Sequence, residues 1–60
     1  MLVWLVAEEG TFIDETNVDK VPAVGEEIVV GRTYRVVDLP PADDNATRLG
    51  ATVLVVKPAD

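Results

Sequence analysis

The sequence predicts a single small all-β domain of four to five antiparallel strands, on three observations. Short runs rich in Val, Ile, Leu and aromatic residues alternate with turn residues along the chain. No segment shows the 3.6-residue hydrophobic period of an amphipathic helix. The 60 residues suffice for one domain, and 48% of them are hydrophobic, which makes a packed core feasible. Such a pattern is typical of a small barrel or sandwich.

The first predicted strand covers residues 2–7 and ends at the polar break formed by residues 8–10. Both of its faces are apolar, whereas an antiparallel strand with one solvated face alternates apolar and polar residues. Residues 11–13 either extend this strand or begin a second one. The polar, turn-prone segment 14–20 is predicted to be an exposed loop.

A β-hairpin is predicted in the middle of the chain. Residues 21–25 form a connector, in which Gly25 is expected to adopt a backbone angle that other residues avoid. Strands at 26–30 and 33–39 flank the pair Gly31-Arg32. Two residues with Gly first indicate a type II′ turn, so the two strands are predicted to pair directly.

The last third of the chain is predicted to hold a loop and a final strand. The Pro40-Pro41 pair stops the preceding strand, because proline cannot donate a hydrogen bond to the sheet. The polar segment 40–48 is then a loop. Residues 49–57 form the last strand, with a bulge at Gly50. The centre of this strand is apolar on both faces, like the first strand.

The segment 21–39 resembles one that is common in short proteins encoded by bacteriophages. In those proteins a Val-Pro-x-x-Gly-Glu turn leads into a strand, and a Gly-containing hairpin and a Tyr-x-Val strand follow, as they do here. The resemblance implies an SH3-like small barrel, and it makes a viral source plausible. It implies no functional residue. The expected fold is therefore an SH3-like barrel of four to five antiparallel strands.

The composition argues against catalysis and against a cofactor. The chain contains no Cys and no His, which excludes disulfides and an ordinary zinc site. It also contains no Ser, so it offers poor material for a nucleophile with its base. We therefore expect a protein that is not an enzyme and that holds neither a cofactor nor a metal.

The net charge of −6, from 11 acidic and 5 basic residues, disfavours direct binding to a nucleic-acid backbone. The stretch Arg32-Thr33-Tyr34-Arg35 alone combines basic and aromatic residues, and we expect it to serve the core and local ion pairs. No apolar run approaches the roughly 20 residues of a membrane span, and no secretion leader is evident. The expected location is cytoplasmic, with no membrane and no nucleic-acid partner.

The two doubly apolar strands, at 2–7 and 49–57, give the main functional hypothesis. If they pair, one face of each fills the core. The other face is either covered by the connectors, through Phe12, Pro22 and Val24, or forms an apolar surface, which soluble proteins seldom leave uncovered. A non-enzymatic protein-interaction module is predicted, whose partner is another copy of the chain or a larger assembly. The expected partner-binding side chains are Val3, Trp4, Leu5, Leu54 and Val56. Trp4 is either a core residue or an interface anchor.

An alternative function uses the acidic residues instead. Small acidic viral proteins sometimes imitate nucleic acid and block a basic groove of a host protein, and electrostatic complementarity is the physical basis of such binding. The candidate acidic residues are Glu8, Glu9, Asp14, Glu15, Asp43 and Asp44. Binding of this kind weakens as salt screens the charges.

Overall fold

A computed structural model describes residues 1–41 and 44–59 of the chain as five strands and one short helix. In chain order these are β1 (Leu2–Val6), β2 (Phe12–Asn17), β3 (Glu27–Val30), β4 (Arg32–Asp38), α1 (Asp44–Arg48) and β5 (Ala51–Pro58). The strands form one sheet in the order β2-β1-β5-β4-β3, which is curled into a half-barrel. The prediction of a mostly β, barrel-like fold is confirmed.

The first and last strands pair at the centre of the sheet, as predicted, but they run parallel. Leu5 lies opposite Leu54, and Trp4 lies opposite Val53. The other three strand pairs among the described residues are antiparallel, so the prediction of an all-antiparallel sheet is wrong for β1 with β5. Strands in parallel pairs tend to be apolar on both faces, as β1 and β5 are, but this pattern alone does not set the direction of the pairing.

Strand β2 includes residues that were predicted to be a loop. Residues 14–17 are polar, yet they continue the antiparallel ladder with β1. Just beyond this ladder, Met1 and Val18 exchange two backbone hydrogen bonds of 2.8 Å. Because β2 lies at the edge of the sheet, its polar side chains stay in water and cost little, so pairing overrides the local preference for a turn.

The β3–β4 hairpin is confirmed, but its turn is shorter than predicted. Val30 lies opposite Arg32, so Gly31 stands alone at the corner, with a φ of 75°. This register places Ile28 opposite Tyr34, and a one-residue difference would turn every side chain of one strand to the other face. The positive φ explains why the corner residue is glycine.

Helix α1 replaces part of the predicted loop at 40–48. It spans only Asp44–Arg48, which is too short for a hydrophobic period to show in the sequence. Its Ala46 is buried, and the helix packs against β5. The predicted loop also included residues 42–43, which lie outside the described residues.

Gly50 ends the helix and does not form the predicted bulge. Its φ is 75°, and its N–H donates to the carbonyl of Thr47 at 3.1 Å. A left-handed glycine directly after a helix is a common way to satisfy the last carbonyls. Strand β5 consequently begins at Ala51, two residues later than predicted.

The core lies on the concave inner face of the sheet. Six side chains form it, each with no more than 9% of its surface exposed: Val3, Leu5, Ile28, Val36, Leu54 and Val56. Leu5 opposes Leu54 on neighbouring strands, and Val36 opposes Val56. Among the described residues, no polar or charged residue is buried with them. Hydrophobic burial is therefore the main force that holds the half-barrel together.

We predict that Leu54→Ala lowers the free energy of unfolding by about 2–5 kcal/mol, because it removes a fully buried side chain from the centre of the core. Urea denaturation followed by circular dichroism measures this change. Leu49→Ala is the matched control, since Leu49 is 64% exposed and its loss should change stability by less than about 0.5 kcal/mol. Equal effects of the two substitutions would show that the core is assigned incorrectly.

Candidate functional site

Four of the five apolar residues that were expected to bind a partner lie in the core instead. Val3, Leu5, Leu54 and Val56 are at most 1% exposed. In this fold they cannot touch a partner at the surface, so the expectation is corrected for these four. The sequence could not decide the question, because side chains alternate between two faces that are both apolar. Only Trp4 points to the opposite side of the sheet.

The convex side of β1 and β5 carries an apolar surface over three opposed residue pairs, which we call the outer face. Its members lie between the core residues along each strand and oppose one another in pairs: Leu2 with Ala51, Trp4 with Val53, and Val6 with Val55. All six are half-buried. In a chain of which 27% is charged, such a surface is a candidate contact site.

Trp4 is held in place at the centre of the outer face. Its indole Nε1–H donates to Oε2 of Glu15 on the neighbouring strand at 3.1 Å. Its ring meets the ring of Phe12 edge to face, with centroids 6.1 Å apart and planes at 87°. Both contacts limit the rotation of the indole in the chain by itself. An aromatic side chain ordered in this way loses little entropy on binding.

Phe12 extends the outer face onto β2. It lies opposite Val6 and is 54% exposed. Phe12, Val53 and Val55 were not among the residues predicted to bind a partner. Once one side of β1 is known to face outward, the β1–β5 register identifies Val53 and Val55, whereas Phe12 depends on the β1–β2 register, which shifts between Leu5 and Val6. The missing information was which face fills the core.

The acidic candidates are spread over separate elements. Five of them are described and exposed: Glu8, Glu9, Asp14, Glu15 and Asp44, while Asp43 lies outside the described residues. Glu8 and Glu9 lie in the turn after β1, and Asp44 begins α1. Asp14 and Glu15 are neighbours in β2, so their side chains leave the strand on opposite sides. The described carboxylates therefore do not form a single row along one strand face.

The basic residues of β4 make contacts within the chain. Arg35 forms an ion pair with Glu27 across the β3–β4 ladder, with Nη2 and Oε2 separated by 3.1 Å. The guanidinium of Arg32 lies 5.7 Å from the centroid of the Tyr34 ring, at a distance typical of a cation–π contact. Tyr34 packs against the core cluster. These contacts agree with the expectation that the basic stretch serves local ion pairs and the core.

A cavity of about 340 Å³ opens at one end of the inner face. Its walls include Ile13, Tyr34 and Val56, and its rim carries Glu8, Arg32 and Lys57. The cavity is open to solvent, and the rim charges are of both signs. Within the described residues, no group of three or more acidic side chains is placed to hold a metal ion.

Comparisons with protein-family models, with curated proteins and with solved structures found no match to this chain. Among the described residues, no helix has the length and apolar content that crossing a bilayer would require.

We predict that Phe12→Ala lowers the free energy of unfolding by about 1 kcal/mol, because it removes the edge-to-face contact with Trp4. The emission of Trp4, which is the only tryptophan, should shift to longer wavelength as its ring becomes more exposed to water. Val24→Ala serves as a control at another exposed apolar residue, with 57% exposure. Unchanged emission in Phe12→Ala would contradict the ring contact.

Proposed function

We propose that this chain is a non-enzymatic protein-interaction module, a structural or accessory protein of the bacteriophage type, that self-associates or docks on a larger assembly. The observation that supports this proposal is the apolar outer face centred on Trp4. We also infer that the curled sheet is a small SH3-like barrel, for which the five strands and the glycine-turned hairpin give support. Its place is the host cytoplasm or the virion.

Covering the outer face releases a substantial free energy. At about 25 cal/mol per Å², covering roughly 400 Å² of apolar surface contributes around 10 kcal/mol before the entropy costs of association. That amount is comparable with the whole folding stability of a typical domain, about 5–15 kcal/mol. A gain of this size can offset an association cost of about 4–15 kcal/mol.

The chemistry of the outer face suits a second copy of the same surface. The six β1 and β5 side chains carry no charge, but Glu15 lies opposite Trp4 and is bonded to it. A second copy can therefore cover the six side chains only in an arrangement that leaves this carboxylate in water, because burying an unpaired charge is costly. The single polar hydrogen of the Trp4 side chain is already bonded to Glu15, so an apolar partner leaves no unsatisfied donor. Two sheets packed face to face lie about 10 Å apart, as in a β-sandwich.

We predict that Trp4→Ala lowers the mass of the particles in solution while the fold survives, because Trp4 lies outside the six-residue core. Light scattering after gel filtration measures the mass, and circular dichroism measures the fold. Leu49→Ala is the control for losing an exposed apolar side chain elsewhere. A wild-type chain that stays at 6.5 kDa at high concentration would contradict self-association.

The salt dependence distinguishes apolar self-association from association through opposite charges. Acidic mimicry concerns a different measurement, the binding of a basic partner, which should weaken as salt is added. Two copies with a charge of −6 each repel one another, so self-association should strengthen as salt is added. Raising the ionic strength from about 0.01 M to about 0.15 M shortens the screening length from about 30 Å to about 8 Å. Light scattering across this range should show an increase in mass. A decrease would instead support contacts between opposite charges.

A further inference from the structure

The edge strands of the sheet are β2 and β3, and no described strand pairs with the free edge of either one. A free edge presents a row of backbone N–H and C=O groups that can pair with another strand. The two edges of this sheet differ in how they are protected, and the difference can be read from the hydrogen bonds of each strand.

The edge of β2 is protected by its own side chains. Met1 and Val18 exchange backbone bonds, so by alternation along the antiparallel ladder Glu15 directs its N–H away from β1, toward the free edge. The carboxylate Oδ1 of Asp14 accepts that N–H at 2.8 Å. A register shift between Leu5 and Val6 also distorts the ladder. Acidic side chains and bulges are common ways to block an edge.

The edge of β3 has no such protection. Val36 donates its N–H to the carbonyl of Glu26 at 2.9 Å, so by alternation Ile28 also bonds β4. Glu27 and Val29 then direct their backbone groups toward the free edge. Val29 is 73% exposed, and among the described residues no side chain accepts its N–H.

Glu26, which precedes β3, and Glu27, its first residue, both bind groups within the chain. Oε1 of Glu26 accepts the backbone N–H of Ala23 at 2.7 Å. Oε2 of Glu27 forms the ion pair with Arg35. Neither carboxylate therefore accepts an N–H at the free edge of β3, whereas Asp14 of β2 accepts a backbone N–H at its own edge.

We propose that the free edge of β3 pairs antiparallel with β3 of a second copy of this chain, about a two-fold axis perpendicular to the sheet. This inference rests on the proposed function, because it adds a second contact to the self-association through the outer face. The pairing joins two sheets into one of ten strands. It also leaves both outer faces on the same side, free to pack against further copies.

A register centred on Val29 satisfies the geometry of this pairing. Opposed residues in an antiparallel pair share a face, so the two-fold axis can place Val29 opposite the Val29 of the second copy. The outward N–H and C=O of each Val29 then exchange two hydrogen bonds. Ile28 opposes the second copy's Val30, and Glu27 opposes its Gly31. No Glu faces another Glu, which would destabilise the pair.

The test isolates the edge contact by removing the outer-face contact first. In a Trp4→Ala background, the expected mass is that of a dimer, twice the 6.5 kDa of the chain. Adding V29K places two lysines opposite each other at the axis. This should raise the dissociation constant of the dimer at least tenfold, so that the variant is monomeric at the same concentration. Adding N17K instead is the matched control, because Asn17 is an exposed residue on the protected edge of β2. This control should remain dimeric.

The outcomes separate the two proposals. If V29K in the Trp4→Ala background stays dimeric, or if N17K dissociates the dimer equally, the edge inference is overturned. If Trp4→Ala has the same mass as the wild type while V29K lowers it, the outer-face proposal fails and the edge inference stands. Circular dichroism confirms that each variant is folded. If V29K does not fold, hydrogen exchange of the wild-type chain tests the edge inference instead. Protection of the Val29 amide should rise with protein concentration, and constant protection would overturn the inference.

Discussion

The parallel ladder between β1 and β5 is the interaction on which the rest of this fold depends. It joins the β1–β2 hairpin to the three-stranded unit of β5, β4 and β3, and it is the main link between them. The Leu5–Leu54 pair lies across this ladder at the centre of the core. Without it, the β1–β2 hairpin would be an isolated two-stranded unit, which is marginally stable in water. Burial on the inner face and exposure on the outer face both follow from this pairing.

Much of the fold could be predicted because the local signals agreed with the final structure. Apolar runs predicted the strands β1, β3, β4 and β5, and Gly31 predicted the turn of the hairpin. The errors arose where tertiary pairing overrode local preference. Polar residues 14–17 form a strand because β1 supplies a ladder for them, and the short α1 left no periodic signal. The parallel direction of β5 depends on the path of the whole chain, which no local pattern contains.

Four of the five apolar side chains that were predicted to contact a partner fill the core instead. A strand that is apolar on both faces has two equally plausible inner faces, and only the curvature of the sheet decides between them. Trp4 was named as an anchor from its residue type alone, but its bond to Glu15 and its contact with Phe12 depend on the register of β2. The different protection of the β2 and β3 edges also could not be predicted from the sequence, because it depends on which backbone N–H and C=O groups point away from the sheet.

The pairing of β1 with β5 also has a consequence for how the chain reaches its native state. Leu2 lies opposite Ala51, so the central ladder joins residues at nearly opposite ends of the sequence. Contacts of such large sequence separation slow folding, because a long loop must close before they form. During synthesis β1 is made before β5, and its two apolar faces remain uncovered until β5 follows. The emerging chain therefore exposes its most apolar strand longest, when capture by a chaperone or by another nascent copy competes with folding.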